Sequence, residues 1–403
     1  MARRIIIIGA GQAGRRCAET LRELDSAAEI TIFGAEAHLP YDRPPLSKAV
    51  LLGKGPGTGL FVRSAEFYAD QRITLHLREA VTHIAPAEKQ IETAQGRIFT
   101  YDALVLATGA RARRLAIPGT DDPRVMLLRS LDEALALRAR LLDKPRLAVI
   151  GGGLIGLEAA ASARQLGCTV DVLEAGERLM ARGLPTSISR RMAALHRQHG
   201  VMLHLNARLD RIESTAQELN LHLAEECRAV DLVLVGIGAS PETALAEAAG
   251  LAVAEGIITD RCGRTSHDGV YAAGEVARFP HPMNTDISTR QESWQVAQDQ
   301  PIAVAHAIMG QHKPYDVIPW YWTDQYNCNL QVLGEPTDRL HQIERTEGER
   351  HTLLCCDSNG RIRGAVLINN GREATPCRRL IASGKPFDIT EYADMARPLR
   401  SFL

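Results

Sequence analysis

The chain has 403 residues, 45% of them hydrophobic, with 47 basic against 48 acidic side chains. A single core stops growing at about 250 residues, so this length calls for two or three domains, and the apolar content excludes a disordered chain. The formal charge of −1 excludes a global basic field that would collect nucleic acid or anionic lipid, so any charged docking surface is local.

Basic residues precede the isoleucines of MARRIIII, but that run leads straight into glycine and is far shorter than a signal-peptide core. No apolar stretch approaches the length of a membrane span. Cysteines stand at 17, 168, 227, 262, 328, 355, 356 and 377. They show no C-x-x-C and no zinc or iron–sulfur spacing, and read as reduced, mostly buried thiols of a cytoplasmic protein.

In chain order, an apolar strand at 5–8 enters GAGQAG, a helix follows, and EITIFG from Glu29 supplies a second strand. This is a βαβ unit with Gly9, Gly11 and Gly14 as its G-x-G-x-x-G. LPYDRPPLSK comes next, its prolines fixing φ in a stiff loop that ends in Lys48. YDALVLATGA at 101–110 is another strand running into small residues. The pattern then repeats: a strand at 147–150 enters GGGLIG, with Gly151, Gly153 and Gly156, and TVDVLEAG from Thr169 completes a second βαβ unit. Strand-like stretches at 231–240 (DLVLVGIGAS) and 269–279 (GVYAAGEVARF) follow.

In such a loop the first glycine permits the tight turn, the second admits a pyrophosphate, and the third lets helix and strand pack closely. The helix N-terminus faces the phosphates with free N–H groups. Glu36 and Glu174 stand at the ends of the two second strands, placed to accept hydrogen bonds from an adenosine ribose. Two such sites on one chain point to a relay in which one cofactor stays bound and the other exchanges, a flavin with a nicotinamide being the common pairing. Glu174 also favours the 2′-hydroxyl of NAD over the 2′-phosphate of NADP.

The ordered set GAGQAG, PYDRPPLSK, ATGA, GGGLIGLEAA, VGIGASPE, YAAGEVA, RQESWQVAQDQ and PWYWTDQY resembles the FAD-dependent ferredoxin–NAD⁺ reductases that serve aromatic-ring dioxygenases and some bacterial P450 systems. The ending NNGREATPCRRLIASGKPFD resembles reductases of the phenylpropionate/cinnamate dioxygenase type. The resemblance implies an α/β fold like that of glutathione reductase: an FAD domain (1–110 and 240–315) split around an inserted NAD domain (111–239), both Rossmann-like, then a C-terminal α/β domain (316–403). FAD stays bound, and NADH exchanges with NAD⁺.

It also implies residue roles. Lys48 lies by the reactive edge of the flavin and pairs with Glu158, and these two form the catalytic pair. FAD contacts fall on Gly9, Gly11, Ala13, Gly14, Glu36, Arg43, Val81, Thr108, Gly109, Arg129, Glu275 and Trp294. The nicotinamide site takes Gly151, Gly153, Ile155, Gly156, Glu158 and Glu174, and Trp322 lies near the flavin edge. On its own residues Lys48 also reads as a surface lysine after a proline turn, and Glu158 as a carboxylate favoured by the helix dipole. The sequence departs from the family at Glu275, usually aspartate, at Ala35, usually an acid, and at Ala112, often proline.

No cysteine lies between Cys17 and Cys168, which removes the thiol relay of disulfide reductases and leaves a reduced flavin to deliver electrons outward. Only 4% of the chain is aromatic, yet three rings fall together at 320–322, either as a core cluster or beside the partner face. Residues 359–386 hold Arg361, Arg363, Arg372, Arg378, Arg379 and Lys385 against Glu373 alone, either a solvated face or a basic docking patch for an acidic [2Fe–2S] ferredoxin. Thirteen histidines form no ligand-spaced set, so the cluster belongs to the partner. The alternatives are a rubredoxin reductase, a P450-system ferredoxin reductase or an NADH oxidase of the same fold, and an NADH-binding signalling flavoprotein.

Overall fold

The computed structural model describes residues 2–54, 60–224 and 226–403. The chain divides into two compact units. The first takes 1–42, 56–111 and 240–317; the second takes 43–55, 112–239 and 318–403.

The first unit is built on a five-stranded parallel sheet in the order Val270–Ala272, Ala103–Leu106, Arg4–Ile8, Glu29–Gly34, Ile73–Leu77. Strand Arg4–Ile8 is central, Ile5 to Ile8 aligning with Ile30 to Phe33 on one side and with Ala103 to Leu106 on the other. A central parallel strand is covered on both faces, which is why its sequence is an unbroken apolar run. Ile5 and Ile7 pack with Cys17, Leu21 and Val304, from helices Gln12–Leu24 and Trp294–Ile308. Ile6 and Ile8 pack on the opposite layer with Ile84, Ile91 and Phe279, part of it an antiparallel sheet of Val81–Ala85, Gln90–Thr93 and Ile98–Thr100. Each fully buried isoleucine contributes about 2 kcal/mol, so this strand anchors the unit.

The second unit repeats the arrangement and adds a further sheet. Its parallel sheet runs Met202–Leu205, Thr169–Glu174, Arg146–Ile150, Leu232–Val235, Val125–Leu127. An antiparallel sheet follows in the order Trp320–Gln325, Cys328–Gly334, Ile362–Ile368, Arg350–Cys356, His341–Glu347. Helix Ala374–Ser383 lies on the strands at 328–334 and 362–368. The segment after the proline loop closes a wide turn over Leu46–Val50, with Val50 N–H bonding to Pro45 O at 3.0 Å; such five-residue turns are frequent at functional sites. It packs against helices Leu131–Leu141 and Leu154–Gln165. Among the described residues no helix is long and apolar enough to cross a membrane.

Candidate functional site: two dinucleotide cradles and a buried carboxylate

The glycine loops have matching geometry. Gly9 (φ +118°) and Gly151 (φ +110°) take the backbone region that a side chain disfavours, and a Cβ there would lie 2.1 Å from Ala107 O and 2.5 Å from Gly236 O. At Gly14 and Gly156 a Cβ would meet Gly9 O at 1.9 Å and Gly151 O at 2.3 Å, so helix and strand approach as closely as backbone allows. At Gly11 and Gly153 nothing lies within 4 Å. The middle glycine of each loop therefore faces open space at a helix N-terminus, the shape a pyrophosphate needs. These cradles fit FAD and NAD(H).

In the first unit Ala13 packs under the loop, and a Cβ on Gly274 would come 2.8 Å from its methyl. Glu36 is half-buried, with its Oε2 accepting from Tyr41 Oη at 2.6 Å. Trp294, in the first turn of its helix, donates from Nε1 to Asp42 Oδ1 at 3.1 Å. Thr108 Oγ1 donates to Glu242 O at 2.8 Å, and Gly109 (φ +70°) accepts from Glu242 N at 2.9 Å. Glu275 is half-buried in the turn Gly274–Val276, and Val81 opens the strand Val81–Ala85.

In the second unit Arg43 Nη1 donates to Arg129 O at 2.5 Å. Arg129 precedes Ser130, whose capping box with Glu133 starts helix Leu131–Leu141. Glu174 accepts from Gly152 N (2.6 Å) and Gly176 N (2.7 Å), so the strand-end carboxylate is fixed by the backbone it serves. Ile155 is 46% exposed, an apolar residue beside the loop.

The catalytic pair expected from sequence is brought together. Glu158 is 4% exposed and lies in the second turn of helix Leu154–Gln165, past the first turn where the helix dipole would favour it. Its Oε1 accepts from Lys48 Nζ at 3.1 Å and from Thr323 Oγ1 at 2.7 Å, and its Oε2 accepts from Ser47 Oγ. Ser47 is held in turn by Ser162 Oγ donating to its carbonyl at 2.7 Å. A buried carboxylate with three donors keeps its charge in one orientation. Lys48 Nζ also lies 3.6 Å from Asp324 and 5.9 Å from the centre of the Trp322 ring.

Strand Trp320–Gln325 carries much of this by simple alternation. Tyr321, Thr323 and Gln325 point to one face: Tyr321 Oη bonds Gly183 O at 3.0 Å, Thr323 meets Glu158, and Gln325 meets His196. Trp320, Trp322 and Asp324 point to the other. The two indoles stack with centroids 4.9 Å apart, and the Arg378 guanidinium lies 5.7 Å from the Trp320 ring. Arg378 and Arg379 lie on helix Ala374–Ser383. Arg361, Arg379 and Lys385 are exposed, whereas Arg363 and Arg378 are half-buried. Arg372 bonds Glu347 at 2.6 Å, so its charge is met in space by an acid 25 residues away in sequence.

Seven of the eight cysteines are buried and all are free; Cys227 is exposed. Burial pushes the Cys17 thiol, on the first glycine helix, up to about 12. Among the described residues no group of three or more His, Cys, Asp or Glu side chains is placed to hold a metal.

Two dinucleotide cradles of this kind define an oxidoreductase that couples a bound cofactor to an exchanging one. The chain belongs to the pyridine nucleotide-disulphide oxidoreductase family, matching it over residues 3–301, and matches the reductase C-terminal family over residues 320–403. It is 40% identical over 402 residues to the anthranilate 1,2-dioxygenase system ferredoxin–NAD(+) reductase component of Burkholderia cepacia, covering 99% of this chain and 98% of that one. Rhodocoxin reductase of Rhodococcus erythropolis is 35% identical, with 97% and 92% covered. Among solved structures, the ferredoxin reductase for the CYP199A2 system from Rhodopseudomonas palustris superposes with a TM-score of 0.94 at 35% identity, with 99% of each chain covered. The covalent putidaredoxin reductase–putidaredoxin complex gives 0.94 at 30%, covering 100% of this chain and 98% of that one.

Proposed function

We propose that this protein is a cytoplasmic ferredoxin–NAD⁺ reductase that oxidises NADH and supplies single electrons to a [2Fe–2S] ferredoxin feeding an aromatic-ring dioxygenase. The observation that carries this reading is the half-buried Lys48 paired with the buried Glu158, two residues past the last glycine of the second loop, in a chain with no cysteine between residues 17 and 168. With no thiol at hand, electrons leave toward a partner protein. The dioxygenase partner is favoured by the 40% identical relative; a P450-type system is the second reading, favoured by likeness to the CYP199A2-system reductase.

FAD, when bound, accepts a hydride from NADH and releases electrons one at a time. The chain's own residues bind and orient. Gly11 and Gly153 leave room for the pyrophosphates, and Glu36 and Glu174 stand at the strand ends for the adenosine riboses. Glu158, fixed by three donors, and Lys48 set the charge at the nicotinamide pocket, while Ile155 offers it an apolar wall. Arg178 is engaged with Leu184 O, Ser189 Oγ and Ala181 O, which leaves it ill placed to receive a 2′-phosphate and favours NADH. Val81, Thr108, Gly109, Glu275 and Trp294, all in the first unit, complete the FAD contacts there. Arg361, Arg379 and Lys385, with Arg378 beside Trp320, form the docking face for an acidic ferredoxin.

The test is NADH-driven turnover with [2Fe–2S] ferredoxins, rubredoxin and oxygen as alternative acceptors. Fastest reduction of a [2Fe–2S] ferredoxin is expected. Faster turnover with rubredoxin or oxygen would replace this assignment with a reductase or oxidase of another acceptor.

A further inference from the structure

We propose that Thr323, Gln325 and His196 form a positioning relay, in which the protonated nitrogen of His196 decides whether Glu158 receives its third hydrogen bond. The inference rests on the role given to Glu158 above. Gln325 Nε2 donates to Thr323 Oγ1 at 3.0 Å, and Gln325 Oε1 faces His196 Nε2 at 2.7 Å. Thr323 and His196 are 0% exposed and Gln325 1%, so no bulk water substitutes for a missing partner.

Counting protons fixes the direction of the chain. A hydroxyl has one proton to give. Because Gln325 donates into Thr323 Oγ1, that proton goes to Glu158. Gln325 can present its N–H₂ to Thr323 only if its oxygen faces His196, and that contact is a hydrogen bond only when His196 carries its proton on Nε2. His196 Nδ1 is buried with no hydrogen-bond partner, consistent with a bare lone pair there. Burial holds the pKa of His196 below its ordinary value, which keeps the ring neutral.

With the proton on Nδ1 the order reverses. The Gln325 amide turns over, its nitrogen donates to His196, and its oxygen takes the Thr323 proton. Glu158 Oε1 would then face a lone pair and keep only Lys48, which has Asp324 at 3.6 Å as a competing partner. The carboxylate, a stronger acceptor than an amide oxygen, favours the first arrangement. A strand and the helix Thr186–Gln198, both distant in sequence from the glycine loop, thus hold the carboxylate on which the nicotinamide pocket depends.

The experiment combines ¹⁵N-histidine NMR of the FAD-loaded protein with NADH–ferricyanide kinetics. Neutral His196 protonated on Nε2 is expected, and a proton on Nδ1 overturns the relay without any variant. Thr323→Val is expected to raise KM for NADH about tenfold, the effect of one hydrogen bond to a charged group, with kcat little changed. Thr323→Ser, which keeps the donor, should restore the wild-type KM. If Glu158→Gln raises KM while Thr323→Val leaves it unchanged, the relay is wrong. If Glu158→Gln also leaves KM unchanged, the reading of Glu158 fails with it.

Discussion

Gly153 and Gly156 differ in what a methyl group would touch, and that difference separates binding from folding. At Gly153 the backbone is extended (φ −83°, ψ −178°) and a Cβ meets nothing. Gly153→Ala is therefore expected to melt like the wild type yet weaken NADH binding about tenfold, since the methyl occupies the space of the pyrophosphate. At Gly156 the Cβ would lie 2.3 Å from Gly151 O, so Gly156→Ala should cost about 1–3 kcal/mol of stability in a denaturant titration. Equal melting with equal NADH affinity in both variants would contradict this account of the loop. Lys48→Met removes the charge beside Glu158 and should slow flavin reduction in stopped flow while FAD stays bound. The glycines and both strand-end acids were legible in the sequence because their chemistry is local. Ser47, Tyr41 and Asp324 were not, because each acts on a residue or through a turn whose placement only the fold reveals.

Strand Trp320–Gln325 carries one pattern that is visible in its sequence and one neighbour that is not. The cluster of rings stood out by composition, and its two possible meanings were a core and a partner face. Period-two alternation was present in WYWTDQ, and it separates Tyr321, Thr323 and Gln325 from Trp320, Trp322 and Asp324. What no pattern supplied was the second glycine helix as neighbour, 165 residues away from Thr323. The basic run at 359–386 likewise looked uniform in sequence, but Glu347 meets Arg372 across the sheet. The proposed docking face is therefore centred on helix Ala374–Ser383. Arg379→Glu is expected to slow ferredoxin reduction several-fold and to flatten its salt dependence, with NADH–ferricyanide turnover as the control. Arg378→Glu should act more strongly, because it also removes the guanidinium over Trp320. Unchanged salt dependence in both would remove the patch.

For the whole molecule, the strand order of each parallel sheet places its glycine loop at the carboxyl end of a central strand, where α/β sheets bind ligands. The two βαβ units were readable because each carries strand, glycines, helix and acid in register. The assignment of segment 43–55 to the second compact unit was not, since it depends on packing against helices Leu131–Leu141 and Leu154–Gln165. The absence of a thiol relay has a simple consequence. Iodoacetamide should label the native protein at Cys227, the one exposed thiol among the described residues, without reducing NADH–ferricyanide turnover. Loss of turnover on labelling would mean that a cysteine takes part. In the proposed reaction one chain holds FAD and draws on NADH to serve a ferredoxin. That reaction is tested most directly by an anaerobic titration of the purified protein with NADH, then NADPH, following flavin absorbance before a [2Fe–2S] ferredoxin is added. A yellow protein that bleaches at far lower NADH than NADPH, and recovers its colour as the ferredoxin is reduced, is expected. A colourless protein, or reduced flavin that returns electrons only to oxygen, would contradict it.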